Sequence, residues 1–202
     1  MKLYYAPGAC SLAPHIILRE LGKKFDLEKV DLGAHKTESG SDFYKVNGKG
    51  YVPTLEIKKG EMLTEVATIV QYLADKAKAT KLLPKAGTMA RYRAMESLNF
   101  VASELHKGIG GLFNPAMPAD GKVAIIARVA KRLDWLDGLL KKQNFLTGKS
   151  FGVADAYAFT VLSWGAHTGI DISKWKNISA FMGRVGARPA VQAAMKAEGL
   201  IK

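Results

Sequence analysis

Apolar and polar residues change their rhythm along this chain near residue 80. Before that point, short alternating stretches read as strands and longer amphipathic stretches as helices. Lys2–Tyr5 and Phe25–Asp31 read as strands, Ser11–Leu21 as a helix between them, and Asp42–Val46 as one helical turn. Val52–Ile57 reads as a strand that opens with a proline, and Lys59, Gly60 and Glu61 turn it back into Met62–Leu63. A helix from Glu65 to about Lys78 closes the segment. Pro14 fits the first helix because first-turn amides have no intrahelical acceptor, and Gly22 stops it. The order β-α-β-α-β-β-α predicts a mixed four-stranded sheet with helices on both faces.

After Ala79 the strand signals cease. Pro84 and Gly87 mark a linker, 81–86, between a first domain, 1–80, and an all-helical second domain, 87–202. Met95, Leu98, Ala102, Leu105, Ile109 and Leu112 recur at spacings of three and four, which predicts a long helix ending among Gly108, Gly110 and Gly111. Ile125, Val129, Leu133, Leu136 and Leu140 predict the next. Asp155–Trp164 is apolar nearly all round, the pattern of a helix at the centre of a bundle. Asn177–Gly186 and Pro189–Glu198 read as two short helices.

Composition narrows the class. No run approaches the roughly 20 apolar residues of a membrane span, and prolines and glycines interrupt the first residues, so a cytoplasmic protein without a membrane partner is expected. The net charge is +12, carried mostly by residues 81–202, where 18 Lys+Arg face 8 Asp+Glu. These cations come singly or in pairs without a nucleic-acid-binding motif, which suits a small anion better than a nucleic acid. Cys10 is the only cysteine, and the four histidines show no zinc spacing, so neither a disulfide within the chain nor a metal is expected.

Four places carry candidate chemistry. Cys10 lies in Gly8-Ala9-Cys10-Ser11, between the first strand and the first helix, where amides converge and the helix dipole favours a thiolate. It is either a low-titrating reactive thiol or a buried structural residue. Val52-Pro53, if cis, offers the Val52 backbone to an extended peptide. Glu65 and the amide of Val66 open the third helix, where they either hold the carboxylate and ammonium of a ligand or simply complement the dipole. Asn99, Ser103, His106 and Gly110 share one face of the long helix beside its apolar stripe. There His106, followed by Lys107, serves either proton transfer or a structural hydrogen bond.

In order and spacing, KLYYAPGACSLAPHI, NGKGYVPTLE, LTEVATIVQYLAD, LNFVASELHKG, GVADAYAFTVLSW and ARPAVQAAM resemble the bacterial beta-class glutathione transferases along the whole chain. The resemblance implies a thioredoxin-like N-terminal domain, an all-helical C-terminal domain and a cytoplasmic homodimer that detoxifies small, mostly apolar electrophiles with glutathione as co-substrate. It places Cys10 beside the glutathione sulfur, Val52 and Pro53 along the cysteinyl backbone, Glu65 and Val66 at the γ-glutamyl end, and His35 at the glycyl carboxylate. It brings Asn99 and Ser103 from the partner subunit, sets His106 and Lys107 beside the sulfur and acceptor, and draws the acceptor site from Leu112, Phe113, Asn114 and Trp164. Tyr5 and Ser11 match the thiolate stabilisers of other classes loosely and rank below Cys10.

The chain departs from the family pattern at His35, where lysine is common, at Val66, where a small or hydroxyl residue is usual, at Gly48 in place of proline, and at Gly152 in place of a Ser or Thr cap. Two rival functions follow from the same residues. Cys10 is suited to glutathione-dependent thiol-disulfide exchange or deglutathionylation, and the cleft is suited to holding apolar ligands without turnover.

Overall fold

Three of the four residues of β1 (Lys2–Tyr5) are buried, and this strand lies at the centre of a sheet. In the computed structural model, which describes residues 1–202, β1 pairs in parallel with β2 (Asp26–Asp31). A parallel pair needs a crossover, supplied here by α1 (Leu12–Glu20). β3 (Lys36–Thr37) adds to the outer edge of β2. On the other side of β1, β4 (Thr54–Lys58) runs antiparallel and turns at Gly60, φ +81°, into β5 (Glu61–Thr64). The order is β3-β2-β1-β4-β5, so the sheet has five strands where the sequence pattern predicts four. β3 is only two residues long, too short to show an alternation. A single 3₁₀ turn, Phe43–Lys45, is capped by Asp42, which accepts from the Tyr44 amide. α2 (Val66–Lys76) follows β5.

A second unit, Thr80–Ala187, is helical. Thr88 caps α3 (Met89–Phe100) by accepting from the Arg91 amide. The chain then widens into a π-helical turn, Val101–His106, before returning to the α form in α4 (Lys107–Gly111). The wide turn shifts the phase of the buried stripe. Leu98, Val101, Leu105 and Ile109 are buried, whereas Met95, which a uniform helix would turn inward, is 37 % exposed. α5 (Ala119–Leu140) buries Val129, Leu133, Leu136 and Leu140.

α6 (Val153–Ser163) is buried from Val153 through Leu162 and packs against α3, the π-helical turn and α8. Its start is held by Asp155, whose side chain accepts from the amides of Gly152 at 2.7 Å and Leu146 at 2.8 Å. Gly152 fits because a Cβ there would stand 2.9 Å from the Leu82 carbonyl oxygen. α7 (Gly165–Thr168) and α8 (Lys176–Gly186) complete this unit.

α9 (Pro189–Ala197) and the residues around it, Arg188–Lys202, belong to the first unit with Met1–Ala79. The sequence pattern groups them with the helical domain, 87–202, because α9 follows α8 after only two residues and no strand or linker signal separates them. Its partners lie in α1. Arg188 donates to both carboxylate oxygens of Glu20, at 2.6 and 2.9 Å, and Glu198 meets His15 at 2.8 Å with both side chains fully buried.

Candidate active site

In the first unit, the loop Asn47–Pro53 is the element on which the candidate residues converge. Asn47, buried, donates its amide to the Tyr51 carbonyl at 2.8 Å and to Thr54 Oγ1 at 3.1 Å, and its own Oδ1 accepts from the Lys49 amide at 3.1 Å. These bonds close the loop on itself. Gly50 turns the chain at φ +72°, where a Cβ would lie 2.5 Å from the Tyr44 ring. The Val52–Pro53 bond is cis, and both residues are buried.

Residues 49–52 of this loop touch three different candidates. The Val52 carbonyl accepts from the Cys10 thiol at 3.2 Å. The Gly50 carbonyl accepts from His35 Nδ1 at 3.1 Å, which fixes the hydrogen on that nitrogen and turns Nε2 toward the Tyr44 hydroxyl at 3.3 Å. The two rings stack with centroids 4.6 Å apart. Glu65 accepts from Lys49 Nζ at 2.6 Å and from the Tyr51 hydroxyl at 3.1 Å. Glu65 also holds the Lys49 ammonium above its ordinary pKa.

Glu65 adopts φ +71°, an uncommon conformation for a residue with a Cβ that costs on the order of 1–3 kcal/mol. Its carbonyl starts α2 by accepting from Ile69, and the next residue, Val66, is buried at a position where helix amides have no intrahelical acceptor. His35 also has positive φ, +51°. Of the lower-ranked residues, Ser11 is buried, with its Oγ donating to the Ala6 carbonyl and accepting from the Ala6 amide, both at 3.2 Å. Tyr5 is also buried, and burial first, then the negative charges of Glu198 and Glu38, keeps its phenol protonated to higher pH than usual.

The second unit gathers its own group. His106 Nδ1 lies 2.5 Å from the hydroxyl of Tyr157, a buried residue of α6. The edge of the His106 ring meets Trp164, with centroids 4.9 Å apart, and Trp164 in turn meets the exposed ring of Phe113 at 5.8 Å. Leu112 turns into the core, and Asn114 is exposed and closes a turn by accepting from the Ala116 amide. Asn99 and Ser103 are exposed, with the Ser103 hydroxyl donating to the Asn99 carbonyl at 2.9 Å, and Lys107 is exposed next to His106.

The sequence reading thus reaches Cys10, His35, Val52 and Glu65 in one unit and His106, Phe113 and Trp164 in the other, but it misses their partners. Lys49, Tyr51 and Tyr44 lie within ten residues of one another, and the clustering of Tyr and Lys around Asn47-Gly48-Lys49-Gly50 was the available signal. Tyr157 carried none, being one aromatic residue in an apolar run.

A sheet unit whose single thiol stands where the first strand enters the first helix, followed by an α-helical unit, defines the class of two-domain thioredoxin-fold transferases. The chain belongs to the glutathione S-transferase family: the N-terminal domain of that family matches residues 8–76 and its C-terminal domain matches residues 100–189. Over 200 residues it is 46% identical to the glutathione S-transferase GstA of Escherichia coli O157:H7, covering 99% of this chain and 100% of that one. A sphingomonad glutathione S-transferase solved in complex with glutathione is 46% identical, with a TM-score of 0.95 and 100% of both chains covered. The bacterial beta-class glutathione S-transferase of Sphingomonas chungbukensis is 47% identical, also with a TM-score of 0.95 over 100% of both chains.

Proposed function

We propose that this chain is a beta-class glutathione transferase that binds glutathione along the Asn47–Pro53 loop and presents its thiolate to small, mostly apolar electrophiles. The observation that carries the reading is that one loop hydrogen-bonds Cys10, His35 and Glu65 through Val52, Gly50 and Tyr51 with Lys49. A tripeptide with a central thiol, a γ-glutamyl end and a glycyl carboxylate needs those three kinds of group along one line.

In this reading the cysteinyl backbone of glutathione pairs with Val52 beside Pro53. Glu65 and the amide of Val66 take the α-amino and α-carboxylate groups of the γ-glutamyl end. The ammonium of the ligand replaces Lys49 on Glu65, so binding exchanges one ion pair for another. His35 and Lys36 face the glycyl carboxylate. The glutathione sulfur lies beside Cys10, within reach of the dipole of α1, which favours the thiolate.

The sulfur lone pair then forms the new S–C bond. In substitution the leaving group departs with its bonding electrons, and in addition the displaced pair moves onto the acceptor and takes a proton. His106, oriented by Tyr157, is suited to move that proton, and Lys107 to stabilise the developing negative charge. Phe113 and Trp164 give the acceptor an aromatic wall, with Leu112 and Asn114 beside it. The protein works as a cytoplasmic homodimer in detoxification, with Asn99 and Ser103 approaching the glutathione of the partner subunit.

Titration calorimetry with reduced glutathione tests the reading, and one site per chain is expected. No heat of binding at millimolar glutathione would overturn it. Thiol exchange is the second reading, favoured by the half-buried Cys10 at the entrance to α1. Cys10→Ala separates the two: conjugation persists at a measurable rate under the first, and all turnover of a glutathionylated peptide is lost under the second.

A further inference from the structure

Beneath an exposed Arg19, the first helix carries a buried ionisable pair, His15 with Glu198, that the transferase reading does not use. Arg19 Nε donates to His15 Nε2 at 3.3 Å. A guanidinium cannot accept, so His15 Nε2 is the acceptor and Nδ1 carries the hydrogen. Nδ1–H donates to Glu198 Oε1 at 2.8 Å, and Glu198 Oε2 accepts from the Gly8 amide at 2.9 Å. The side chains of His15 and Glu198 are both 0% exposed. The carboxylate of the C-terminal segment is therefore shared between the loop before Cys10 and the first turns of α1.

That loop admits little substitution. Gly8 has φ +70°, and a Cβ on it would stand 3.4 Å from the Leu200 side chain, so Leu200 covers the glycine that Glu198 binds. On the far side of Gly8, Ser11 Oγ bonds both the amide and the carbonyl of Ala6, and the Ala9 amide donates back to the Ala6 carbonyl at 3.1 Å. Cys10 thus sits in a turn fixed at Ala6 from within and at Gly8 from the C-terminus.

We propose that Glu198 is a positioning residue that sets the Gly8–Cys10 turn for glutathione, making the C-terminal segment part of the thiol site. A buried charge is a poor way to gain stability, since apolar groups of equal volume often do as well. An apolar residue would close the α1–α9 face equally but could not accept from the Gly8 amide. The Arg188–Glu20 pair supplies the comparison. It joins the same two helices and is partly exposed.

The inference rests on the reading of the Cys10 turn as part of the glutathione site. The test compares Glu198→Gln, Glu198→Asp and Arg188→Ala with the parent protein. Gln keeps one acceptor oxygen and faces the second donor with an NH₂, whereas Asp keeps the charge at shorter reach. Glu198→Gln is expected to raise the KM for glutathione about tenfold while kcat against an aryl chloride changes less than about twofold. Amide exchange in the peptide containing Gly8 and alkylation of Cys10 by iodoacetamide should both change in Glu198→Gln, partly revert in Glu198→Asp, and stay at parent rates in Arg188→Ala.

Equal KM shifts in Glu198→Gln and Arg188→Ala, following only the loss of melting temperature, would overturn the proposal. So would unchanged exchange and alkylation in the Glu198 variants. If Glu198→Gln does not fold, Glu198→Asp against Arg188→Ala decides by the same measurements. Should the parent protein fail to bind glutathione, the transferase reading falls, while exchange at Gly8 and alkylation at Cys10 still decide the positioning role.

Discussion

Gly50 shows how one backbone position governs a site. Its φ of +72° and its approach to the Tyr44 ring leave no room for a Cβ. Tyr44 is half exposed and can swing aside, so the steric part of Gly50→Ala is relieved but the left-handed conformation is not. Urea unfolding is expected to show a loss of about 1–2 kcal/mol. Calorimetry should show weaker glutathione binding, because Tyr44 stacks on His35. Glu28 gives a pH prediction. The Ser39 hydroxyl first, then the Ser39 amide and Lys2, overcome partial burial and hold its carboxyl below the usual glutamate range. The unfolded chain then takes up this proton before the folded one does, so the contribution is present at neutral pH and is lost as pH falls through and below the ordinary glutamate range. Glu28→Gln should flatten the acid limb of a stability curve measured by urea titration at successive pH values, and Glu28→Gln with an unchanged acid limb would refute it. Residues of this kind were unevenly legible. Cys10 announced itself by being the only thiol at a strand-to-helix junction, whereas His15 and Glu198, which are 183 positions apart, share no pattern that a reading along the chain can detect.

Among the elements, those with a steady period were readable and those that break it were not. β4 alternates, β1 is apolar at three of its four positions, and α6 is apolar nearly all round, so their places in a sheet and at the centre of a helical unit followed from composition and spacing. The π-helical turn at Val101–His106 has ordinary helix-forming residues, and only its consequences, an exposed Met95 and a buried Val101, betray it. The same turn brings His106 to Tyr157, so the contact that orients the histidine depends on a widening the sequence does not advertise. At the start of α6, local chemistry also carries stability. Asp155 is fully buried and accepts from two amides, Gly152 and Leu146, so it joins the start of the helix to the preceding turn. Asp155→Ala leaves both donors without that acceptor and should cost about 2–4 kcal/mol, from a lost cap and a lost charge-assisted hydrogen bond together. Restoring a hydroxyl cap with Gly152→Ser should not stabilise the protein, because its Cβ meets the Leu82 carbonyl at 2.9 Å. Thermal melts of the two variants check both statements, and a Gly152→Ser protein melting above the parent would contradict the second.

At the scale of the whole molecule, the first unit is built from two stretches of chain, Met1–Ala79 and Arg188–Lys202, with the entire second unit between them. The second unit is continuous. This asymmetry decides the order in which they can lose structure. When the first unit unfolds, the second loses nothing by connectivity. When the second unfolds, α9 can stay on α1 only by closing a disordered loop of about 100 residues, which costs about 4 kcal/mol of chain entropy. That is a large share of the stability of a domain. The first unit is therefore expected never to outlive the second. All three tryptophans, Trp135, Trp164 and Trp175, lie in the second unit, so their fluorescence follows it alone. Pulsed amide exchange along a urea series, read in peptides from β1 and β2, follows the first. Protection of those strands should vanish at or below the urea concentration where tryptophan fluorescence changes. Strand protection that persists beyond the fluorescence transition would mean that α9 contributes little to the first unit, and that the Glu198 contact to Gly8 is dispensable to its fold.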